Sequence, residues 1–307
     1  MIIRRTHMDV LDTNKILPDG LPRILPPYED GVFQAVLSLP EAREALRSAV
    51  AAFLDRPMKS VTLRNNAAPS RDKNAKQEQY DISCVVDGED GDQCNVEMQA
   101  TQMMGDNLGN EHMNIRWRCV FNLCDLHSNQ EGRGLPYGQF ARSYQITLCK
   151  YRVFNEKQCH VERFTFRNME GRELCDAVTA VIIDLSQAEE IAKKPTGEMT
   201  PIEQWTVFFA LGNLPAYSGI IAEITKLEEG IAVAKDTLMG ISQDPDERAR
   251  FRSRRIWLQD REYDNAVMAS ISAELVEKSA ELAEKDAELA EKDAIIAELK
   301  ARLDKSQ

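Results

Sequence analysis

Long apolar runs are missing from this sequence of 307 residues. No stretch approaches the roughly 18 to 20 consecutive apolar residues that a membrane-spanning helix needs. The first fifteen residues have no apolar segment of the kind found in secretory signals. We therefore expect a cytoplasmic protein that does not enter a membrane.

Cysteine and histidine are few and scattered. The seven cysteines form no Cys-x-x-Cys pair, and the four histidines show no metal-ligand spacing. This pattern excludes a zinc site and a disulfide framework, and it is typical of reduced thiols in the cytosol. Any bound metal would have to be held by carboxylates.

Motifs of several enzyme classes are also missing. The sequence has no glycine-rich phosphate loop, which argues against nucleotide hydrolysis. It has no Gly-x-Ser-x-Gly motif and no cysteine with a plausible histidine partner, which argues against a serine or cysteine hydrolase. The net charge of -12 comes from 38 basic and 50 acidic side chains, and it argues against a protein that coats nucleic acid. It leaves room for an enzyme that meets DNA through one local basic surface.

The order of hydrophobic patterns predicts a mixed α/β sheet with flanking helices. Residues 1–28 have no lasting periodicity and are interpreted as an irregular lead-in. The predicted strands cover 61–65, 80–86, 93–99, 143–154, 160–167 and 177–184. The predicted helices cover 37–54, 112–129, 202–211, 217–239 and 245–263, followed by a long final helix.

The final helix contains the one clear repeat. The unit Ala-Glu-Leu-Ala-Glu-Lys-Asp recurs from residue 280 and from residue 287. Apolar residues seven apart indicate a coiled coil that would join copies of the chain through 265–307. The second apolar row of a coiled coil is missing, so a single solvated helix held by its own charge pairs is the alternative. The apolar row consists of Leu275, Leu282, Leu289, Ile296 and Leu303.

Acidic residues in the predicted hairpin 80–99 are candidates for a metal site. Side chains alternate along a strand, so Glu97 and Gln99 share one face, and the pairing places Asp81 opposite residues 97–99. Two carboxylates and an amide oxygen suit Mg²⁺ or Mn²⁺. The alternative is an ordinary hairpin with solvent-exposed acids. Against that alternative, Asp81 and Glu97 stand among apolar strand residues.

Several motifs in this order resemble the recombination-promoting nuclease and transposase family, a branch of the PD-(D/E)XK nuclease superfamily. The resemblance covers roughly residues 28–265. The strand Asn95-Val-Glu-Met-Gln99, following Tyr80-Asp-Ile82, is the more specific part. Supporting pieces are Asp30-Gly-Val-Phe33, Arg118 through Leu126-His-Ser-Asn-Gln130, Met199-Thr-Pro-Ile-Glu-Gln-Trp205 and the arginine-rich helix 246–260.

The resemblance implies a role for each matching residue. Asp81 would be the first metal-binding acid and Glu97 the second, with Mg²⁺ or Mn²⁺ as the cofactor. Gln99 stands where the wider superfamily has a lysine. Because glutamine is neither a cation nor a base, Arg118 is the candidate cation for the transition state, with a surface salt bridge as its alternative role. Asp30 would lie near the metal or cap the first helix.

The resemblance also implies the fold and the substrate. The expected fold is a PD-(D/E)XK restriction-endonuclease-like mixed sheet flanked by helices, followed by a helical region and a C-terminal coiled-coil-like helix. The expected segments are an irregular start (1–28), a nuclease-like core (29–190), a helical extension (191–264) and the long helix (265–307). The expected function is a metal-dependent DNA endonuclease associated with recombination or mobile elements. The alternative is a catalytically degenerate DNA-binding or oligomerising scaffold.

Two basic segments are candidates for contact with DNA phosphates. One is the loop before the hairpin, and the other is the arginine-rich helix, where pairing with acids of the chain itself is the alternative. The candidate residues are Arg64, Arg71, Lys73, Lys76, Arg248 and Arg252.

Overall fold

The computed structural model describes residues 16–64, 81–88, 91–100, 111–130, 136–154 and 159–304. The helices in these ranges are α1 (Asp30–Ser38), α2 (Arg43–Leu54), α3 (Glu111–Ser128), α4 (Ala188–Ile191), α5 (Pro201–Leu211), α6 (Ser218–Leu227), α7 (Glu229–Gln243) and α8 (Pro245–Asp304). The strands are β1 (Val61–Leu63), β2 (Ile82–Val86), β3 (Asp92–Gln99), β4 (Ser143–Cys149), β5 (Val161–Thr165) and β6 (Val178–Asp184).

The strands form one sheet in the order β1-β2-β3-β4-β6-β5. The pairs β1–β2 and β2–β3 are antiparallel, whereas β3, β4 and β6 run parallel to one another. The edge strand β5 returns antiparallel to β6. Two parallel neighbours need a crossover connection, and α3 lies between β3 and β4 in the chain. The predicted mixed sheet is therefore confirmed.

The two faces of the central strands differ in chemistry. One face is apolar and packs against α1, α2 and α5 in the main core, where Trp205 stacks on Phe209 at 5.3 Å between ring centroids. The other face lies under α3, whose Cys119 and Leu123 pack with residues of β6. Because side chains alternate along a strand, every second residue of β3 and β4 points to α3. These residues are polar and buried: Gln93, Asn95, Glu97, Gln99, Ser143, Gln145 and Thr147.

Local sequence explains where several helices begin and end. The run Thr-Pro-Ile-Glu forms a capping box at α5, in which Thr200 and Glu203 satisfy each other's backbone N–H groups and Pro201 starts the helix. The single helix predicted over 217–239 is wrong. Glu228 is extended (φ -129°, ψ 108°) and divides it into α6 and α7, and its side chain accepts a bond from the Gly230 N–H. The helix predicted over 245–263 and the final helix are instead one continuous helix, α8.

The chain divides into two compact units. The first runs to Arg254, and the second begins at Arg255 of α8. Within the first unit, the aromatic residues of α5 share one core with α1 and α2. Residues 16–28 contain no helix or strand, and Leu21 and Leu25 are buried in the core. Residues 1–15 lie outside the described ranges.

The described part of the second unit is the helix from Arg255 to Asp304. Its heptad row is exposed to solvent by 64% at Leu275, 61% at Leu282, 57% at Leu289 and 47% at Ile296. The predicted charge pairs Glu274–Lys278 and Glu288–Lys292 are formed, at 2.9 and 3.6 Å. Along the described chain, every helix is too short or too polar to cross a membrane. All seven cysteines are free thiols.

Candidate active site

The hairpin of β2 and β3 brings the candidate acids together. The strands pair antiparallel with Ile82 opposite Val96. Asp81 precedes β2 by one residue, so the same register places it opposite Glu97. Its carboxylate accepts a hydrogen bond from the Met98 N–H at 2.8 Å, which ties the acid to the neighbouring strand. The sequence predicted this pairing to within one residue.

The surroundings of Asp81 disfavour its negative charge. Burial, together with the negative charges of Asp30 and Glu97, raises the pKa of its carboxyl group from 3.8 to about 7, although the Met98 N–H and Arg118 act in the opposite direction. Two nearby carboxylates that repel each other in a poorly solvated site gain stability when a cation binds between them. The electrostatics of the pair therefore fit a bound metal ion.

Glu97 is almost completely buried, with 2% of its surface exposed. Two side chains of α3 hold its carboxylate. Arg118 donates from Nη2 to Oε2 at 3.0 Å, and Asn122 donates from Nδ2 to Oε1 at 2.6 Å. Residues four apart lie on one helix face, so α3 presents both donors to the same carboxylate. A buried carboxylate needs such partners to remain charged.

Gln99 lies at the same end of β3 as Glu97. It is buried on the same face as Glu97, and its backbone carbonyl accepts a bond from the Lys150 N–H. Within the described ranges, no three His, Cys, Asp or Glu side chains form a group that could hold a metal. The expected ligands for a metal here are the carboxylates of Asp81 and Glu97 with the amide oxygen of Gln99. This all-oxygen set suits Mg²⁺ or Mn²⁺, which complete their shells with water and substrate phosphate.

One comparison with known proteins identifies the family of this chain. The family model described as PD-(D/E)XK nuclease family transposase matches residues 27–267. The chain belongs to this family. No curated protein and no solved structure matches the chain. The match confirms the family suspected from the sequence motifs, and the mixed sheet with flanking helices and a long C-terminal helix agrees with the expected PD-(D/E)XK fold class.

For this PD-(D/E)XK family member, the structure places Asp30 close to the acid pair. Asp30 is the first residue of α1, and its negative charge acts on Asp81. Its carboxylate pairs with Arg254 at 3.3 Å. The alternative role as helix cap does not hold, because the N-cap residue is Glu29. Asp30 therefore adds negative charge beside the proposed metal ligands.

The basic residues proposed to contact DNA differ in their surroundings. Arg248 is buried, with 7% of its surface exposed. Its guanidinium pairs with both carboxylate oxygens of Asp19, at 2.6 and 2.9 Å, and also bonds the carbonyls of Pro22, Arg23 and Ser242. These bonds lower the pKa of Asp19. The prediction that Arg248 contacts a phosphate is therefore wrong, because its donors are used inside the fold.

The remaining candidates lie on α8, beside β1 and in the loop before the hairpin. Arg252 is exposed on α8, and Arg64 is half-buried beside β1, with its backbone N–H bonded to the Ser83 carbonyl at 2.7 Å. Arg71, Lys73 and Lys76 lie outside the described residues. Arg64 and Arg252 remain candidates for phosphate contact.

Asn122 is a site residue that the sequence analysis missed as a functional residue. On this helix, the family resemblance assigned a functional role to Arg118 and none to Asn122. Asn122 lies four residues after Arg118, and this spacing could have indicated its role. Residues four apart share one face of a helix, here the face that meets Glu97.

Proposed function

We propose that this chain is a metal-dependent DNA endonuclease that hydrolyses phosphodiester bonds with Mg²⁺ or Mn²⁺ and acts in the cytoplasm on recombining or mobile DNA. One observation carries the proposal. Asp81 and Glu97 lie opposite each other at one end of a hairpin, poorly solvated and close enough to raise the pKa of Asp81. Membership of a nuclease family supports the reaction class and implies DNA as the substrate.

The residues of the proposed site have two different roles. Asp81, Glu97 and Gln99 would hold the metal through oxygen atoms. Asn122 and Arg118 orient the Glu97 carboxylate from α3. A bound divalent metal would lower the pKa of a water molecule and offset charge that develops on the scissile phosphate.

Arg118 is the proposed cation at the scissile phosphate. Gln99 has no positive charge and no basic nitrogen, so it cannot replace the lysine of the wider superfamily. The Arg118 side chain is 36% exposed while it reaches the buried Glu97. One end of the guanidinium thus anchors the acid, and the exposed remainder is available to an approaching phosphate. Arginine suits this role because its planar group presents several donors at once.

The test is cleavage of plasmid DNA by the purified protein with Mg²⁺ or Mn²⁺. Asp81→Asn and Glu97→Gln should abolish cleavage, and calorimetry should show that both lose affinity for Mn²⁺. Asp176→Asn is the matched control, because Asp176 is an exposed carboxylate whose partner is Arg142. Undiminished cleavage in both site variants would refute the assignment of the acids.

The second candidate is a catalytically degenerate scaffold that joins copies of itself through 265–307. The exposed heptad row of α8 favours it, since an apolar row at this spacing is stabilised by a partner helix. A folded protein that binds no Mn²⁺ but self-associates would support this candidate over the nuclease.

A further inference from the structure

A group of buried amides lies beside the proposed metal ligands on the α3 face of the sheet. Asn95 and Gln145 are opposite each other in the parallel pair of β3 and β4, and both are wholly buried. Gln93, two residues before Asn95 on the same face, is buried as well. Sheets usually bury apolar side chains beneath a helix, so a row of amides in this position needs an explanation.

Both amide atoms of Asn95 and Gln145 lack hydrogen-bond partners within the described part of the chain, whereas Gln93 and Asn122 each leave only their oxygen unpartnered. The unpartnered atoms are Oδ1 and Nδ2 of Asn95, Oε1 and Nε2 of Gln145, Oε1 of Gln93 and Oδ1 of Asn122. Burying an amide without a partner costs roughly 1–3 kcal/mol. Asn95 and Gln145 do not bond each other, since all four of their amide atoms are unpartnered. The described protein groups therefore leave this pair unsatisfied.

The contacts of α3 place Asn122 over this pair. Midway along the helix, Cys119 meets Thr147 at 3.9 Å, and near its C-terminal end His127 meets Ser143 at 3.0 Å. The helix therefore runs antiparallel to β4, and the residues between these two contacts cross the level of Gln145. Asn122 is one of those residues, and its Nδ2 already donates to Glu97.

Asn95 and Glu97 are neighbours on one face of β3, separated by about 7 Å along the strand. The buried amides thus begin one position away from the carboxylate that Asn122 holds. Water molecules can satisfy buried amides of this kind, since a buried water makes about three hydrogen bonds to otherwise unsatisfied atoms.

We propose that Asn95, Gln145 and the Oδ1 of Asn122 form a binding site for a small cluster of ordered water molecules beneath α3. The donors and acceptors of Asn95 and Gln145 hold the water, and the water donates to the Oδ1 of Asn122. This bond fixes the orientation of the Asn122 amide, so that its NH₂ group and not its oxygen faces Glu97. An inverted amide would place an oxygen against the carboxylate.

Asn95 and Gln145 are then positioning residues that act on Glu97 through the water and Asn122. This functional part rests on the proposed role of Glu97 as a metal ligand. The hydration itself does not depend on that role. Partners of metal ligands typically change metal affinity by 10- to 100-fold when they are removed.

The double variant Asn95→Leu/Gln145→Met tests the functional part, because it removes all four amide atoms at similar side-chain volume. Exchanging a set of buried polar partners for apolar groups is nearly neutral or stabilising. We therefore expect an unfolding free energy equal to or above that of the wild type, together with at least tenfold weaker binding of Mn²⁺ by calorimetry. Gln204→Met is the matched control, because Gln204 is a buried amide of α5 that donates to the Met199 carbonyl. The control should leave Mn²⁺ affinity unchanged.

Wild-type Mn²⁺ affinity in the folded double variant would overturn the positioning role. A crystal structure of the full chain tests the hydration separately: water bonded to Asn95, Gln145 and Asn122 supports it, and direct packing without water overturns it. If the wild-type protein binds no Mn²⁺, the nuclease proposal and the positioning role both fail. The crystal structure still decides the hydration in that case.

Discussion

Arg118 donates a hydrogen bond to Glu97 at 3.0 Å, joining a partly exposed cation to a buried carboxylate. The bond links α3 to β3 at the position where the proposed metal would bind. The sequence predicted two alternative roles for Arg118, a catalytic cation or a surface salt bridge. The two are compatible, because the salt bridge is made to the proposed metal ligand itself.

The proposed role of Arg118 predicts that replacing this residue lowers the rate of DNA cleavage. Arg118→Gln should lower kcat for DNA cleavage by about 10²-fold, the effect of removing one preorganised donor from a developing charge. Arg118→Lys should recover part of the rate, because lysine keeps the charge but not the planar fork. Single-turnover cleavage at saturating Mn²⁺ measures both. Arg142→Gln, which removes an exposed pair with Asp176, is the control, and a normal rate in Arg118→Gln would contradict the proposed cation.

The raised pKa of Asp81 predicts how stability depends on pH in metal-free protein. The folded state holds the proton up to a pH of about 7, whereas the ordinary value is 3.8. The stabilising contribution of the protonated carboxyl is therefore complete below about pH 4 and is lost as the pH rises through 7. Asp81→Asn mimics the protonated group at every pH. Its stability relative to wild type should thus rise between pH 5 and pH 8, by about 3 kcal/mol.

Urea denaturation in the presence of a chelator measures this difference at each pH. Asp176→Asn serves as control, because an exposed carboxylate should give a flat difference. An Asp81→Asn difference that is equally flat would show that Asp81 is ionised without penalty in the folded protein.

Because Arg248 is buried, we expect that replacing it lowers the stability of the fold and does not change the salt dependence of DNA binding. Arg248→Met removes the donor that bonds three backbone carbonyls and should destabilise the protein by about 1–3 kcal/mol, because Asp19, whose side chain is 29% exposed, regains water. The dependence of DNA affinity on salt should stay as in the wild type, measured by fluorescence anisotropy at several salt concentrations. Arg252→Gln, an exposed neighbour on α8, should instead reduce the salt slope by about one if it contacts a phosphate. A smaller salt slope in folded Arg248→Met would restore that residue as a DNA contact.

The exposed heptad row predicts self-association through α8. Leu282→Lys/Leu289→Lys should shift the chain from an oligomer to a monomer in sedimentation velocity, because a lysine pair at the centre of the apolar row disfavours burial against a partner helix. Ala287→Lys/Ala294→Lys adds the same charge on the far side of the helix and should leave the oligomer intact. A wild-type chain that sediments as a monomer at all concentrations would exclude the coiled coil.

Local sequence was sufficient for much of the fold and for the pairing of the acids. Strand alternation and the Gly- and Asp-rich turn predicted the hairpin, and the hairpin alone fixes Asp81 opposite Glu97. The break between α6 and α7 was not predicted, since the sequence around Glu228 contains no proline or strong turn signal. The extended backbone there is observed only in the folded chain.

The sequence by itself determined the hairpin, the acids on it and the helical character of residues 245–304, because these depend on contacts between residues close in the chain. Tertiary structure alone decided the partners of those groups. Asn122 reaches Glu97 across 25 residues, and Arg248 reaches Asp19 across 229. Such long-range contacts depend on how α3 and α8 pack, and packing is set by the whole core. Arg118 therefore donates to the proposed metal ligand Glu97, whereas Arg248 donates to Asp19 and holds the lead-in segment.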